Sequence, residues 1–96
     1  MPKAKRTIAR VQTGVRMEKR LLLVLKALAG TLDLSLGDLL EGIVLHAFEA
    51  KPPFGRQSLE KIEGLKKVYG LNLSAADSHL LVEAPVPRER RPRAVR

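Results

Sequence analysis

The feature that most constrains this chain is an alternation of apolar and polar residues that leads directly into two short helical patterns. In residues 9–17, the side chains at odd positions are apolar or weakly polar and point one way, and the even positions point the other way. This alternation predicts a β-strand with one face toward a core. No comparable second strand follows. Because the N–H and C=O groups of the predicted strand need partners, we expect it to pair with the same strand of a second copy.

Two helices are predicted directly after the strand. The first covers residues 18–29 and ends at Gly30, and it is apolar almost all round, so it requires cover on most sides. The second begins after Ser35, which is a good N-cap with Asp38 three residues later as a shortened capping box. Apolar residues then follow at helical spacing up to a Pro-Pro pair, which stops the helix.

A further pair of helices is predicted in the second half of the chain. Ser58 is a suitable N-cap for a helix over residues 59–69, with Gly70 as its C-cap. Ser74 is suitable for a short fourth helix that extends to about Glu83. The predicted organisation is a flexible basic arm (1–8), a folded unit (9–50), a helical extension (56–84) and a disordered basic tail (85–96).

The formal net charge of +8 is concentrated at the two ends of the chain. Residues 1–20 hold seven Lys and Arg against one Glu, and residues 85–96 hold five Arg against one Glu. Residues 21–84 hold six basic side chains against eight acidic ones. This distribution favours a polyanion bound at one end of the molecule.

Composition excludes several classes of function. The chain has no cysteine, which excludes disulfides and thiolate sites, and it has no uninterrupted apolar run of about 18 residues that would span a membrane. The N-terminus lacks the apolar run of a signal peptide, so we expect a cytoplasmic, nucleoid-associated protein. With one Tyr, two Phe and no Trp, base stacking on single strands is disfavoured.

No enzyme, cofactor or metal site is predicted. Asp77, Ser78 and His79 are consecutive, so on a helix they point about 100° apart and do not converge on one reacting atom. His46 lies beside the apolar stripe of the second helix with no other ligand at metal-binding spacing.

Residues 10–50 resemble the ribbon-helix-helix DNA-binding domains, the family of the Arc and methionine repressors, CopG-type regulators and many antitoxins. Strand length, helix lengths and turn position match that pattern without gaps. The resemblance implies a mainly α fold, an intertwined homodimer whose two-stranded β-ribbon enters the DNA major groove while the second helix N-terminus clamps a phosphate. We expect this fold, with a small helical C-terminal extension.

The resemblance also implies which residues contact DNA. The outward strand positions that would read bases are Arg10, Gln12, Gly14 and Arg16. Arginine donates two parallel hydrogen bonds to guanine and glutamine pairs with adenine, whereas Gly14 offers only close backbone approach, and Arg10 is left open between a base and a phosphate. The expected phosphate contacts are Ser35, Leu36, Lys19, Arg20, Lys3, Lys5 and Arg6.

The expected dimer core combines one face of the strand with the apolar faces of both helices. Its members are Val11, Val15, Leu21, Leu25, Leu28, Leu39, Leu40, Ile43, Val44 and Phe48. The expected function is a sequence-specific regulator, a repressor, whose partners are double-stranded DNA and a second copy, with higher assembly on DNA left open. The alternative is an antitoxin or interaction module in which residues 56–84 bind a partner protein.

Overall fold

In the computed structural model, the part of the chain that is described, residues 5–85, forms three α-helices and one turn of 3-10 helix. Helix α1 spans Lys19–Thr31, α2 spans Leu36–Phe48, α3 spans Arg56–Tyr69, and the 3-10 turn spans Ala75–Asp77. Lys3 and all but the first residue of the predicted tail lie outside the described residues.

The predicted β-strand is absent from residues 5–85, so the ribbon-helix-helix fold expected from the sequence is wrong. Residues 9–17 form no backbone-to-backbone hydrogen bond within the described chain. Alternation is a property of one segment alone, whereas a strand also needs a neighbour for its N–H and C=O groups. The neighbour expected for residues 9–17 is a second copy, and no other segment between residues 5 and 85 takes its place, so these residues form no strand within the described chain.

Helix α1 begins close to where the sequence predicts and ends later. The Glu18 carboxylate accepts a hydrogen bond from the Leu21 backbone N–H at 2.9 Å, which caps the first turn. Gly30 lies inside the helix rather than after it. The chain instead turns at Asp33, whose φ of 62° is left-handed, and the Leu34 N–H returns to the Ala29 carbonyl at 2.9 Å.

Helix α2 confirms the predicted Ser35 cap. The Ser35 hydroxyl accepts from the Asp38 backbone N–H at 3.1 Å and so satisfies one of the donors left free at a helix start. The helix ends at Phe48, ahead of the Pro-Pro pair, as predicted.

Helix α3 confirms one predicted cap and corrects the other. Gly70 ends it in the left-handed conformation, with φ of 67°, which glycine adopts without strain. The helix starts before the predicted Ser58 because Gly55 is the N-cap, and the Gly55 carbonyl accepts the first helical bond from the Leu59 N–H at 3.0 Å.

The predicted fourth helix is reduced to the 3-10 turn. Ser74 and Asp77 form a capping box, as their spacing indicates, but the backbone leaves the helical region at His79, where φ is 68°. Beyond that point Leu80 and Val82 are exposed, so no packing sustains further turns.

The core is small and lies on α1, which packs against both α2 and α3. Its buried residues, within the described chain, are Val24, Leu28, Ala29 and Leu39. Leu28, Ala29 and Leu39 form one cluster. The half-buried side chains packed against this cluster are Leu25, Leu32, Ile43, Phe54, Ile62 and Leu65. A core this thin leaves much apolar surface in contact with water.

Candidate nucleic-acid interface

The segment that precedes α1 carries four exposed basic side chains, those of Lys5, Arg6, Arg10 and Arg16. Residues 5–16 are all exposed, and their polar side chains extend from a chain with no backbone pairing. The structure therefore leaves this segment open to a ligand, and its polar contacts with the helices are made by side chains.

Arg10 contacts the first two turns of α2. Its Nε and Nη2 atoms donate to the two carboxylate oxygens of Glu41 at 2.9 and 2.8 Å, and Nη2 lies 3.3 Å from Asp38 Oδ1. The hydrogen bond from Arg10 lowers the pKa of the Glu41 carboxyl and raises the pKa of the guanidinium. This is the two-pronged geometry that arginine adopts with planar anionic or acceptor edges.

Arg16 makes a comparable pair with the C-terminal segment. Its Nε donates to Glu83 Oε1 at 3.1 Å, and its Nη2 donates to Glu83 Oε2. The bond lowers the pKa of Glu83 and raises the pKa of Arg16. Both side chains are largely exposed, so the pair is accessible to water and to competing ions.

Arg20 has a different environment from the two preceding arginines. It bonds Glu18 at 2.9 Å, and its Nη1 donates to the Gly70 carbonyl at 3.0 Å and to Asn72 Oδ1 at 3.1 Å. Arg20 therefore ties the start of α1 to the chain that leaves α3. The pKa of Glu18 is lowered, chiefly because its carboxylate accepts the Leu21 backbone N–H and then because of Arg20.

The other predicted DNA contacts of the segment are exposed. Lys5, Arg6 and Lys19 form no ion pair with any residue between 5 and 85. Gln12 is exposed, and a Cβ added at Gly14 would meet no atom within 4 Å. The side chains at these positions do not contribute to the core of the described chain.

The N-terminus of α2 is where a phosphate is expected. Ser35 and Leu36 stand at this end, and the helix dipole favours an anion there. Asp38 and Glu41 place two carboxylates beside the same end, with the Arg10 guanidinium between them. The local charge at this end therefore depends on whether Arg10 stays paired.

The residues expected in a dimer core fall into two groups. Leu28 and Leu39 are buried within the single chain, and Leu25, Leu40 and Ile43 are half-buried. The remaining members are exposed, most of all Val11 at 87% and Phe48 at 80%, and this group consists of Val11, Val15, Leu21, Val44 and Phe48. Leu45, next to Val44, extends the exposed apolar surface of α2.

An apolar cavity of about 380 Å³ lies between α1, α3 and the chain that follows α3. Leu21, Leu25, Phe54, Ile62 and Leu81 line it, and Lys66 and Asp77 stand among its few polar residues. Asp77 is already engaged, since its carboxylate accepts the Ser74 backbone N–H at 2.8 Å. The cavity thus leaves apolar side chains of α1 incompletely covered.

Sequence reasoning does not predict the acidic partners of the arginines. Glu41 and Glu83 are not expected at the site, and Asp38 is expected only to support the Ser35 cap. Asp38 and Glu41 are three residues apart, and so share one face of α2, which is the available signal. Glu83 is 67 residues from Arg16, and no local pattern connects the two.

The described chain contains neither a cluster of metal-binding side chains nor a membrane-spanning helix. Between residues 5 and 85, no three His, Cys, Asp or Glu side chains come together to hold a metal ion. Over the same residues, no helix combines the length and apolar character needed to cross a membrane.

Comparisons with known proteins add no family to this description. A scan against protein-family models, a search of curated proteins and a search of solved structures each found no match to this chain.

Proposed function

We propose that this chain is a homodimeric transcriptional repressor that binds double-stranded DNA through its basic N-terminal segment, in the cytoplasm at the nucleoid and without a cofactor. The observation that carries the proposal is the separation of charge. Residues 1–20 hold seven basic side chains against one acid, whereas residues 21–84 carry a small acidic excess. Polyanions attract such a basic segment, and the displacement of counterions from DNA supplies affinity.

The chemistry of the exposed side chains supports recognition of bases as well as phosphates. Arg10, Gln12 and Arg16 offer the donor pairs that match guanine and adenine edges. Lys5, Arg6 and Lys19 supply positive charges for phosphates. The contacts are assigned to a segment without strand structure, so no ribbon geometry enters the proposal.

Dimerisation is supported by the apolar surface that the single chain leaves exposed. Val44, Leu45 and Phe48 of α2 form this surface. Contiguous exposed apolar patches mark association surfaces in folded proteins. Two copies would also present two basic segments to one duplex, which raises the effective concentration of the second after the first has bound.

The proposal is tested by measuring duplex affinity at several salt concentrations. Replacing Lys5 and Arg6 together by Gln should weaken binding to all duplexes. It should also reduce the slope of log K against log salt by about 0.9 for each phosphate that is no longer neutralised. The matched control replaces Arg56 and Lys61 of α3 by Gln, which removes the same charge from the body. Equal losses of affinity in both double variants would contradict the assignment of the interface.

Base reading is tested by selecting bound duplexes from a random pool. Gln12→Ala should lower affinity for the selected site by about tenfold or more and leave random duplex nearly unchanged. A failure of the wild-type chain to enrich any sequence would reduce the proposal to binding without specificity.

A second candidate function is a module that binds a partner protein through residues 56–84. It is favoured by the exposed apolar side chains of this region, among them Leu59, Val68, Leu80 and Val82. Replacing Leu59 and Val68 by Ser removes the apolar side chains without changing the charge, and it should leave duplex affinity unchanged if this surface binds a protein. A wild-type chain that binds no duplex at about 0.1 M salt would favour this second function over the first, since phosphate-driven binding persists at that ionic strength.

A further inference from the structure

We propose that Asp38, Glu41 and Glu83 act as internal substitutes for DNA, occupying the two arginines assigned to base reading until a duplex displaces them. The inference rests on the proposed function and names a regulation of the same site. It predicts that the protein restrains its own affinity, and that removing these carboxylates strengthens DNA binding.

The geometry of the Arg10 pair carries the first part of the argument. Glu41 receives two hydrogen bonds from Arg10, through Nε at 2.9 Å and Nη2 at 2.8 Å, and Asp38 lies 3.3 Å from the same guanidinium. Guanine O6 and N7 form a pair of acceptors that resembles the two carboxylate oxygens of Glu41. Two oxygens of a phosphate form a similar pair. The donors that would contact DNA are therefore already engaged.

The Arg16 pair repeats this arrangement with a different part of the chain. Both Glu83 oxygens accept from Arg16, although Glu83 lies in the C-terminal segment and Asp38 and Glu41 lie on α2. Both arginines with assigned base contacts are thus held by carboxylates. Lys5, Arg6 and Lys19, which are assigned to phosphates, form no ion pair within residues 5–85.

Exposure makes these pairs reversible. The side chains of Arg10 and Arg16 are 59% and 81% exposed, and their acidic partners are about half exposed. Ion pairs in such positions are weak and screened by salt, so a duplex can displace them. Arg20 differs, because it also bonds the Gly70 carbonyl and Asn72 and is less exposed, so it has a structural role.

The test compares single carboxylate-to-amide variants that change the charge equally. Glu41→Gln and Glu83→Gln should each tighten binding to the selected duplex by about two- to fivefold at low salt. The control is Glu49→Gln, which removes a carboxylate 3.2 Å from Lys51 and frees no residue assigned to DNA. The control accounts for the general gain in affinity from losing one negative charge.

The outcomes distinguish the inference from the function on which it rests. If the wild type binds DNA, and Glu41→Gln and Glu83→Gln gain no more than Glu49→Gln, the inference is wrong and the proposed function stands. If neither the wild type nor any variant binds a duplex, both are overturned. Circular dichroism of each variant should match the wild type, since the three substituted residues are exposed and none lies in the core.

Discussion

Helix α1 and the segment that precedes it are neighbours in the chain, but they differ in burial and in backbone hydrogen bonding. In α1, Val24, Leu28 and Ala29 are buried, and the backbone groups bond within one turn of the chain. In residues 5–16 every side chain is exposed, and no backbone group bonds to another within the described chain. The sequence of each region predicts a regular element, but only α1 forms one.

The difference shows that a helix can be predicted from one segment, whereas a strand cannot. Paired substitutions of the same residue type at two positions test that contrast.

The largest effect is expected from a charge in the core. Leu28→Asp should unfold the chain, because the side chain is 1% exposed and an isolated carboxylate there has no partner. Leu45→Asp places the same charge on the exposed face of α2 and should keep the helical circular dichroism. Under the proposed function it should also shift sedimentation from dimer to monomer. A folded Leu28→Asp protein would show that the core is wrongly placed.

A smaller effect is expected from the same truncation made in the two regions. Val24→Ala should lower the free energy of unfolding by about 1–3 kcal/mol, since buried methyl groups are removed. Val15→Ala should change it by less than about 0.5 kcal/mol, because Val15 is 73% exposed. Urea denaturation measures both, and a large loss for Val15→Ala that depends on protein concentration would place Val15 in an interface between copies.

The next comparison concerns two serines that the sequence marks alike as helix caps. Ser35→Ala should cost about 1 kcal/mol, because the hydroxyl accepts the Asp38 N–H and no other group replaces it. Ser58→Ala should cost less than about 0.5 kcal/mol, because Gly55 is the cap and Ser58 lies in the first turn. Thermal melting followed by circular dichroism separates the two, and equal losses of stability would restore Ser58 as a cap.

The smallest effect is expected in the titration of the paired carboxyls. The Arg10 hydrogen bond lowers the pKa of Glu41 below its ordinary value of 4.5. A carboxyl with a lowered pKa in the folded state stabilises the fold above its ordinary pKa, and this contribution is lost as the pH falls through the folded-state value. Carbon-13 NMR should show that Arg10→Gln raises the pKa of Glu41 and leaves the pKa of Glu83 low. Unchanged titration of Glu41 would mean that the pair does not persist in solution.

The sequence predicts those parts of the fold whose causes are local. Ser35 and Gly70 are predictable as caps because each acts on groups a few residues away. The prediction that Gly30 stops α1 is wrong, because the chain reversal takes place at Asp33 and the Leu34 N–H satisfies the Ala29 carbonyl. Local composition does not reveal which of several residues will take the left-handed conformation.

The candidate site is less predictable than the helices. The exposed arginines follow from the pattern of the N-terminal segment, but their acidic partners lie 28, 31 and 67 residues away. Such contacts depend on the positions of α2 and the C-terminal segment, which are determined by tertiary packing and not by local sequence. The missing strand has the same cause, since its partner would have to come from outside the segment.

One consequence of the unpaired N-terminal segment concerns how such a protein changes over generations. The hydrogen bonds of residues 5–17 to the remainder of the described chain are those of Arg10 and Arg16. Most substitutions in the segment therefore leave the free energy of unfolding untouched, whereas α1 has little margin to lose. Under the proposed function, single-base changes in the corresponding codons alter which DNA sequence the segment contacts, while the helical body is inherited unchanged. A new sequence preference would then need no compensating mutation in the helices.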